Sequence, residues 1–385
     1  MKVFVIAGES SGDALGAALM AGLRELVPGV GFDGIGGPLM AAQGLVSRFA
    51  MDELSVMGLA EVLPKYFHLK RRIRETAQAI AEAAPDVVIT IDSPDFCLRV
   101  LALARAADPR LKTVHYVAPS VWAWRPGRAV KMARVVDHVL ALLPFEPPLM
   151  QAAGMSCEFV GHPVTTEPVA SAAEAAAFRA AAGIAPEAPL LLVLPGSRKG
   201  EVARLGPIFG ATLARLAVPG LRVVVPSVAA RAGQVRELVT GWPGDPEVLD
   251  AAVTPPATKR AAFRAADAAL AASGTVSLEL AASATPMVIA YRLNPLSEAL
   301  IARMLLIDTL TLVNLVSETR VVPEFLRDGC RAEVIAPALA DLLTGETARD
   351  AQRAAMDLTM QRLGRGGEAP GLRAARSVLG VLRRG

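Results

Sequence analysis

Cysteine is scarce in this chain: 385 residues hold three, Cys97, Cys157 and Cys330, far apart and without C-x-x-C spacing. That excludes a disulfide framework and a cysteine-built zinc site, and it suits a reducing, cytosolic setting. Aromatic residues make up only 4%, so the core must be built from Ala, Val and Leu. Charge of one sign is missing as well; a formal net charge of +3 gives no field for wholesale nucleic-acid binding. No stretch of about 18 uncharged apolar residues is present to span a bilayer. The first seven residues carry one lysine and a five-residue apolar run, with Glu9 and Asp13 close behind, so no signal peptide is expected. None of the four histidines has metal-ligand spacing, there is no repeat of fixed period, and no metal or cofactor is expected.

What is present is a long, apolar chain (53% hydrophobic) in which short apolar runs alternate with helix-length Ala/Leu/Arg segments. Runs at 2–7, 30–36, 86–91, 111–117, 137–142 and 157–160 read as strands of a first series. Those at 190–194, 221–225, near 248, 268–271 and 287–290 read as a second series. Continuous apolar runs of this length are strands buried on both faces, as in parallel sheets. Two such βα series predict an α/β protein with two doubly wound sheets. The boundary falls in the Ala/Glu/Pro-rich stretch at 165–187, which gives domains at 1–168 and 187–345 and terminal helices at 346–385. Pro337 and Gly345 are read as helix start and stop signals, and Pro64 as a kink or restart in the segment 57–84.

Ligands of open parallel sheets bind beyond the carboxyl ends of the strands. The central stretch LLLVLPGSRKGE, 190–201, has strand, Gly/Ser turn and helix start. That predicts free backbone N–H groups for an anion, with Arg198 beside Gly196 and Ser197 to grip it; an ordinary βα turn with a surface arginine is the bland alternative. Neither G-x-G-x-x-G nor G-x-x-x-x-G-K-[ST] occurs at this turn, so the anion need not belong to a dinucleotide or ATP. A second turn, Ser273-Gly274-Thr275, opens a helix in which Glu279 lies one turn along, placed for ribose hydroxyls or simply solvated behind a Thr275 cap. Asp92 ends its strand before Ser93-Pro94-Asp95. It serves as a general base or as an N-cap, and Asp95 is the better cap candidate. The loop VAPSVWAWRPGR, 117–128, gathers Trp122, Trp124, Arg125 and Arg128, as binding residues or as packing anchors. Gly8-Glu9-Ser10-Ser11-Gly12 matches the G-x-S-x-G of serine hydrolases, with Asp92 and His115 or His162 downstream; only seven residues precede it, too few for the central strand of that fold.

Taken together, the motifs resemble the lipid-A-disaccharide synthases. They are AGESSGD (7–13), GIGGPLM (34–40), LSVMGLAEVL (54–63), IDSPDF (91–96), HYVAPSVWAWRPGR (115–128), LPFE (143–146) and VGHP (160–163). LPGSRKGEV (194–202), ASGTVSLE (272–279), PMVIAYR (286–292), NLV (314–316) and PEFLRDGC (323–330) follow in order over nearly the whole chain. Two departures are Cys97, where the family commonly has asparagine, and Val313, where proline is frequent. The resemblance implies the glycosyltransferase-B architecture, two Rossmann-like domains facing a cleft with the terminal helices packing back across them. It implies an inverting hexosyltransferase of Gram-negative lipid A biosynthesis that joins UDP-2,3-diacylglucosamine to 2,3-diacylglucosamine 1-phosphate. Asp92 is then the base and Arg198 the group that neutralises the diphosphate. Gly196, Ser197, Ser273, Gly274, Thr275, Glu279 and Asn314 hold UDP. Ser11, Gly12, Asp13, Trp124 and Arg125 line the acceptor side. UDP-sugar epimerases share the architecture and are the alternative within it.

Acylated substrates also give the segment 57–84 a second reading beside an amphipathic core helix with a basic outer face. Val62, Leu63, Phe67 and Leu69 would dip into a membrane interface while Lys70, Arg71 and Arg72 meet anionic head groups. This implies a peripheral protein on the cytoplasmic face of the inner membrane, with a homodimer among the expected states if the terminal helices exchange.

Overall fold

The structure is a computed structural model that describes residues 1–54, 59–293 and 304–383, with 59–65 described by backbone alone. The chain divides into two units, residues 1–166 with 366–385, and residues 167–365.

The first unit holds six parallel strands, β1 (Lys2–Ala7), β2 (Gly31–Ile35), β3 (Val87–Ile91), β4 (Thr113–Tyr116), β5 (His138–Ala141) and β6 (Ser156–Phe159), in the order β2-β1-β3-β4-β5-β6. Alternate side chains of one strand feed two separate cores. Phe4, Ile6 and Val88 enter one, and Val3, Val5, Val87 and Ile89 enter the other. That period-two division explains why these runs are apolar throughout, with helices covering both faces. The helix Pro370–Arg383 returns to this unit and packs on Ser10–Leu26. The approach is close: a Cβ on Gly371 would stand 2.5 Å from the Ala18 carbonyl oxygen, so only glycine fits. Ser377 fastens the same helix to the sheet edge, with its Oγ 2.8 Å from His138 Nε2 and 2.6 Å from Glu158 Oε2.

The second unit repeats the plan with β7 (Leu190–Leu194), β8 (Arg222–Ser227), β9 (Glu247–Asp250), β10 (Ala268–Ala272), β11 (Met287–Tyr291) and β12 (Glu324–Leu326), all parallel, in the order β12-β11-β10-β7-β8-β9. Leu190 to Val193 are fully buried, as a central strand requires. The helix Glu346–Arg362 stays with this unit, packed on Leu312–Ser317 and Val276–Ala282, so the crossing back to the first unit comes at 365/366 and not at 346.

The helix Leu59–Ala83 runs through Pro64 without a restart. One proline reading is corrected: Pro337 lies inside the helix Ala332–Thr344 instead of starting it. Pro337 gives up one backbone hydrogen bond there, a loss offset by the burial of Ile335, Leu339 and Leu342 on the sheet. Among the described residues no helix is long and apolar enough to cross a membrane.

Candidate active site

Strand order reverses beside the first strand of each unit: β1 lies between β2 and β3, and β7 between β8 and β10. The loops leaving such a pair diverge to opposite faces and leave a crevice at their carboxyl ends. In the second unit that crevice is a cavity of about 550 Å³. Gly196, Ser197 and Arg198 line it from the loop after β7. Ser273, Gly274, Thr275 and Glu279 line it from the loop and helix after β10, and Pro226, Val228, Leu249 and Ala251 add an apolar wall.

The turn after β7 does not offer its Ser197 and Arg198 N–H groups to an anion, as its sequence suggested. Glu201 folds back over it: Oε2 accepts from the Ser197 and Arg198 N–H groups at 3.2 Å each, and Oε1 accepts from Arg198 Nη1 at 2.9 Å. The Tyr291 hydroxyl, at the end of β11, donates to the same Oε1 at 3.1 Å. Gly196 makes room for this carboxylate, since a Cβ there would stand 2.7 Å from Glu201 Oε2, and its φ of +110° also demands glycine. Helix-start donors left unpaired are costly, and a glutamate three residues on satisfies them. Arg198 itself remains 59% exposed on the cavity wall.

Across the cavity, Lys259 from the helix Pro256–Ala265 places Nζ 2.6 Å from Glu279 Oε2. No sequence signal marks Lys259, because only the tertiary fold brings that helix to the cavity; Glu201 and Tyr291 were likewise unassigned. Thr275 occupies the N-cap position of Val276–Ala282, but its side chain makes no capping bond. Asn314 does not line the cavity. It is buried, with Nδ2 donating to the Val322 carbonyl at 2.9 Å and Oδ1 accepting from the Val322 N–H at 3.1 Å. Both ends of its amide are thus bonded to the backbone at Val322.

In the first unit the loops after β1 and β3 touch. A Cβ on Gly8 would meet Ser93 Oγ at 2.5 Å. Asp92 and Ser93 both take left-handed backbone angles, φ +50° and +44°, a strain of roughly 1–3 kcal/mol each that concentrates at functional turns. Asp92 is half-buried, and among the described residues its carboxylate has no hydrogen-bond or ion-pair partner. The N-cap position of Pro94–Ala107 belongs to Ser93, so neither aspartate caps it; Asp95 sits in the first turn, where its charge suits the helix dipole.

Ser11 is exposed in the first turn of Ser10–Leu26 and Gly12 is buried beneath it. Asp13 departs from its acceptor-side expectation. It is 2% exposed and accepts from the N–H groups of Gly37, Leu39 and Met40 at 2.8, 2.9 and 3.0 Å, capping the short helix Pro38–Ala42. Its oxygens are consumed by the fold.

In the tryptophan loop, Trp124 is half-buried under the Arg125 guanidinium, 4.5 Å from its ring, and Arg125 is exposed with φ +51°. Trp122 is the packing anchor. Its Nε1 donates to the buried Glu146 at 3.2 Å and its ring meets Phe145 edge-on at 5.4 Å. The hydrolase pattern finds no base: His115 is buried with Nδ1 on Thr90 Oγ1 at 2.7 Å, and among the described residues no hydrogen bond joins Ser10 to a histidine.

On the basic helix Leu59–Ala83, Phe67 is 82% exposed and stacks edge-on with Tyr66, and Lys70 and Arg71 are exposed beside it. Leu69 instead packs on the core. Arg72 is tied to Glu53 at 2.8 Å and lies 4.4 Å over the Phe49 ring, so both serve the fold. The side chains of Val62 and Leu63 lie outside the described residues.

A family model described as lipid-A-disaccharide synthetase matches residues 3–369 of this chain. The lipid-A-disaccharide synthase of Ruegeria pomeroyi is 63% identical over 385 residues, covering 98% of this chain and 95% of the relative. That of Rhodospirillum centenum is 49% identical, covering 99% and 95%. Among solved structures, a UDP-GlcNAc 2-epimerase from Neisseria meningitidis bound to UDP-GlcNAc is similar with a TM-score of 0.67 at 12% identity over all of both chains. MurG of Acinetobacter baumannii is similar with a TM-score of 0.59 at 13% identity, over 100% and 99% of the two chains. At such identity the structures speak for a shared two-Rossmann-unit fold alone.

Proposed function

This chain belongs to the lipid-A-disaccharide synthase family and is a glycosyltransferase of lipid A biosynthesis, and from that premise we propose that it condenses UDP-2,3-diacylglucosamine with 2,3-diacylglucosamine 1-phosphate. The products are the β-1,6-linked disaccharide 1-phosphate and UDP. The observation that carries the reading is the cavity at the β7/β10 reversal, where the Arg198 turn and the Gly274 turn meet over an apolar wall. An apolar slot beside a guanidinium suits a base next to a diphosphate, and Glu279 is placed for ribose hydroxyls.

The reaction is one in-line displacement. Asp92 takes the proton of the acceptor 6-hydroxyl as that oxygen bonds to the anomeric carbon. The bond from the anomeric carbon to the diphosphate oxygen breaks, its electron pair leaves on UDP, and the configuration inverts. A carboxylate with no partner among the described residues suits a general base, and Arg198, with Lys259 across the same cavity, answers the charge that grows on the leaving diphosphate. The reading uses no metal. Ser11, Gly12, Trp124 and Arg125 are assigned to the acceptor. Phe67, Lys70 and Arg71 dock the protein peripherally on the inner face of the inner membrane, where acyl chains remain in lipid at about 0.8 kcal/mol per CH₂. The test is UDP release from the diacylated donor. Release that requires diacylglucosamine 1-phosphate supports the transfer, whereas donor conversion without acceptor points to epimerisation.

A further inference from the structure

We propose that Glu201 is a positioning residue whose carboxylate aims the Arg198 guanidinium into the cavity after β7. This rests on the reading of that cavity as a UDP seat and names what makes the seat effective. Glu201 is 8% exposed by side chain, while its partner Arg198 is 59% exposed. A buried carboxylate thus holds an outward-facing cation. Four donors converge on it: two backbone N–H groups, Arg198 Nη1 and the Tyr291 hydroxyl. Tyr291 ends β11 and Arg198 follows β7, so the carboxylate ties the arginine to two strands of the sheet. Burial and the charge of Glu201 both raise the Tyr291 pKa and keep its hydroxyl a donor.

Only one guanidinium nitrogen is spent on this bond. Among the described residues Nε and Nη2 of Arg198 have no partner, which leaves a two-pronged edge for phosphate oxygens. An exposed arginine otherwise spreads over many rotamers, and each must be given up on binding. Fixing Nη1 beforehand removes much of that loss. The same carboxylate keeps phosphate from the Ser197 and Arg198 N–H groups, so a diphosphate is met by the side chain and not by the turn's backbone.

Glu201→Gln separates the two roles. The amide oxygen still accepts from both backbone N–H groups and the amide NH₂ still bonds the Tyr291 oxygen, but it cannot accept from Nη1. UDP affinity is measured by calorimetry for the wild type, E201Q, R198A and the double variant. E201Q should weaken UDP about tenfold, the scale of one oriented charge-assisted hydrogen bond, and weaken it no further when Arg198 is already alanine. The same loss in both backgrounds, or no loss in either, overturns the proposal. Tyr291→Phe, which removes the outer anchor, should give a smaller loss confined to the Arg198 background, and it replaces E201Q if that variant does not fold. NMR relaxation of Arg198 Nε–Hε in the UDP-free protein supplies an independent reading. Its order parameter should fall in E201Q, and an unchanged value overturns the proposal. If the wild type binds no UDP, the functional reading falls while the relaxation comparison still decides the role of Glu201.

Discussion

Glu201 holds Arg198 by both ends, with Oε2 3.2 Å from its backbone N–H and Oε1 2.9 Å from Nη1. Two N–H groups of the turn that looked like an anion nest are therefore already taken by its own helix, and Arg198 lines the cavity beside them. Asp92 is the converse case: a half-buried carboxylate on a left-handed turn with no partner among the described residues. One turn has its charged group held in place, and the other carries a carboxylate that no described residue holds.

Asp92→Asn should fold, bind UDP as the wild type does, and lose turnover by about 10²–10⁴-fold, the range for removing a general base. The measurement is UDP release with both substrates, beside calorimetry with UDP alone. Near-normal turnover would remove Asp92 as the base.

Arg198→Ala should weaken UDP by about 10- to 100-fold through loss of charge-assisted hydrogen bonds to phosphate. Unaltered affinity would move the diphosphate elsewhere. On the proposed reading, in which Arg198 and Lys259 of this cavity neutralise the diphosphate, activity should also survive EDTA; loss reversed by magnesium would assign that work to a metal.

The strand plan was legible because burial on both faces demands continuous apolar runs, and β7 and β10 have them. β12 was not, because three residues carry no period and Glu324 within it serves as an acceptor for Thr309 and the Leu310 N–H. Seven residues singled out from two strand-turn-helix stretches line one cavity, since such a motif fixes its own geometry. Asn314 and Asp13 went the other way. Buried amides and carboxylates are ligands of their own backbone, and which backbone they meet is a tertiary fact that no local pattern encodes. Lys259 failed to stand out for the same reason.

Docking on anionic lipid should depend on Phe67, Lys70 and Arg71, which are exposed, and not on Leu69, which is packed. Changing Lys70 and Arg71 to serine should weaken binding to phosphatidylserine vesicles by about 2 kcal/mol, roughly thirtyfold, at about 1 kcal/mol per basic residue. Phe67→Ser should lower it further. Leu69→Ser should instead lower the Tm. Vesicle sedimentation beside thermal melts separates the two, and unchanged sedimentation of the Phe67, Lys70 and Arg71 variants would end the docking idea.

Glu146 should give the first unit a pH-dependent stability. Burial pushes its carboxyl up to about 7 against the pull of hydrogen bonds from the Leu143 N–H and Trp122 Nε1. Below about pH 4.5 the folded and unfolded chains both hold the proton. Between there and about 7 only the folded chain does, so stability falls as pH rises through that window and levels off above it. The difference is on the order of 3 kcal/mol, at about 1.4 kcal/mol per unit of pKa. Urea unfolding of the wild type and Glu146→Gln across pH 4.5 to 8 measures it, with Trp122 fluorescence as the probe. The wild type should lose stability relative to the variant as pH rises; parallel curves would mean that the Glu146 carboxyl titrates in the folded protein as it does in the unfolded chain.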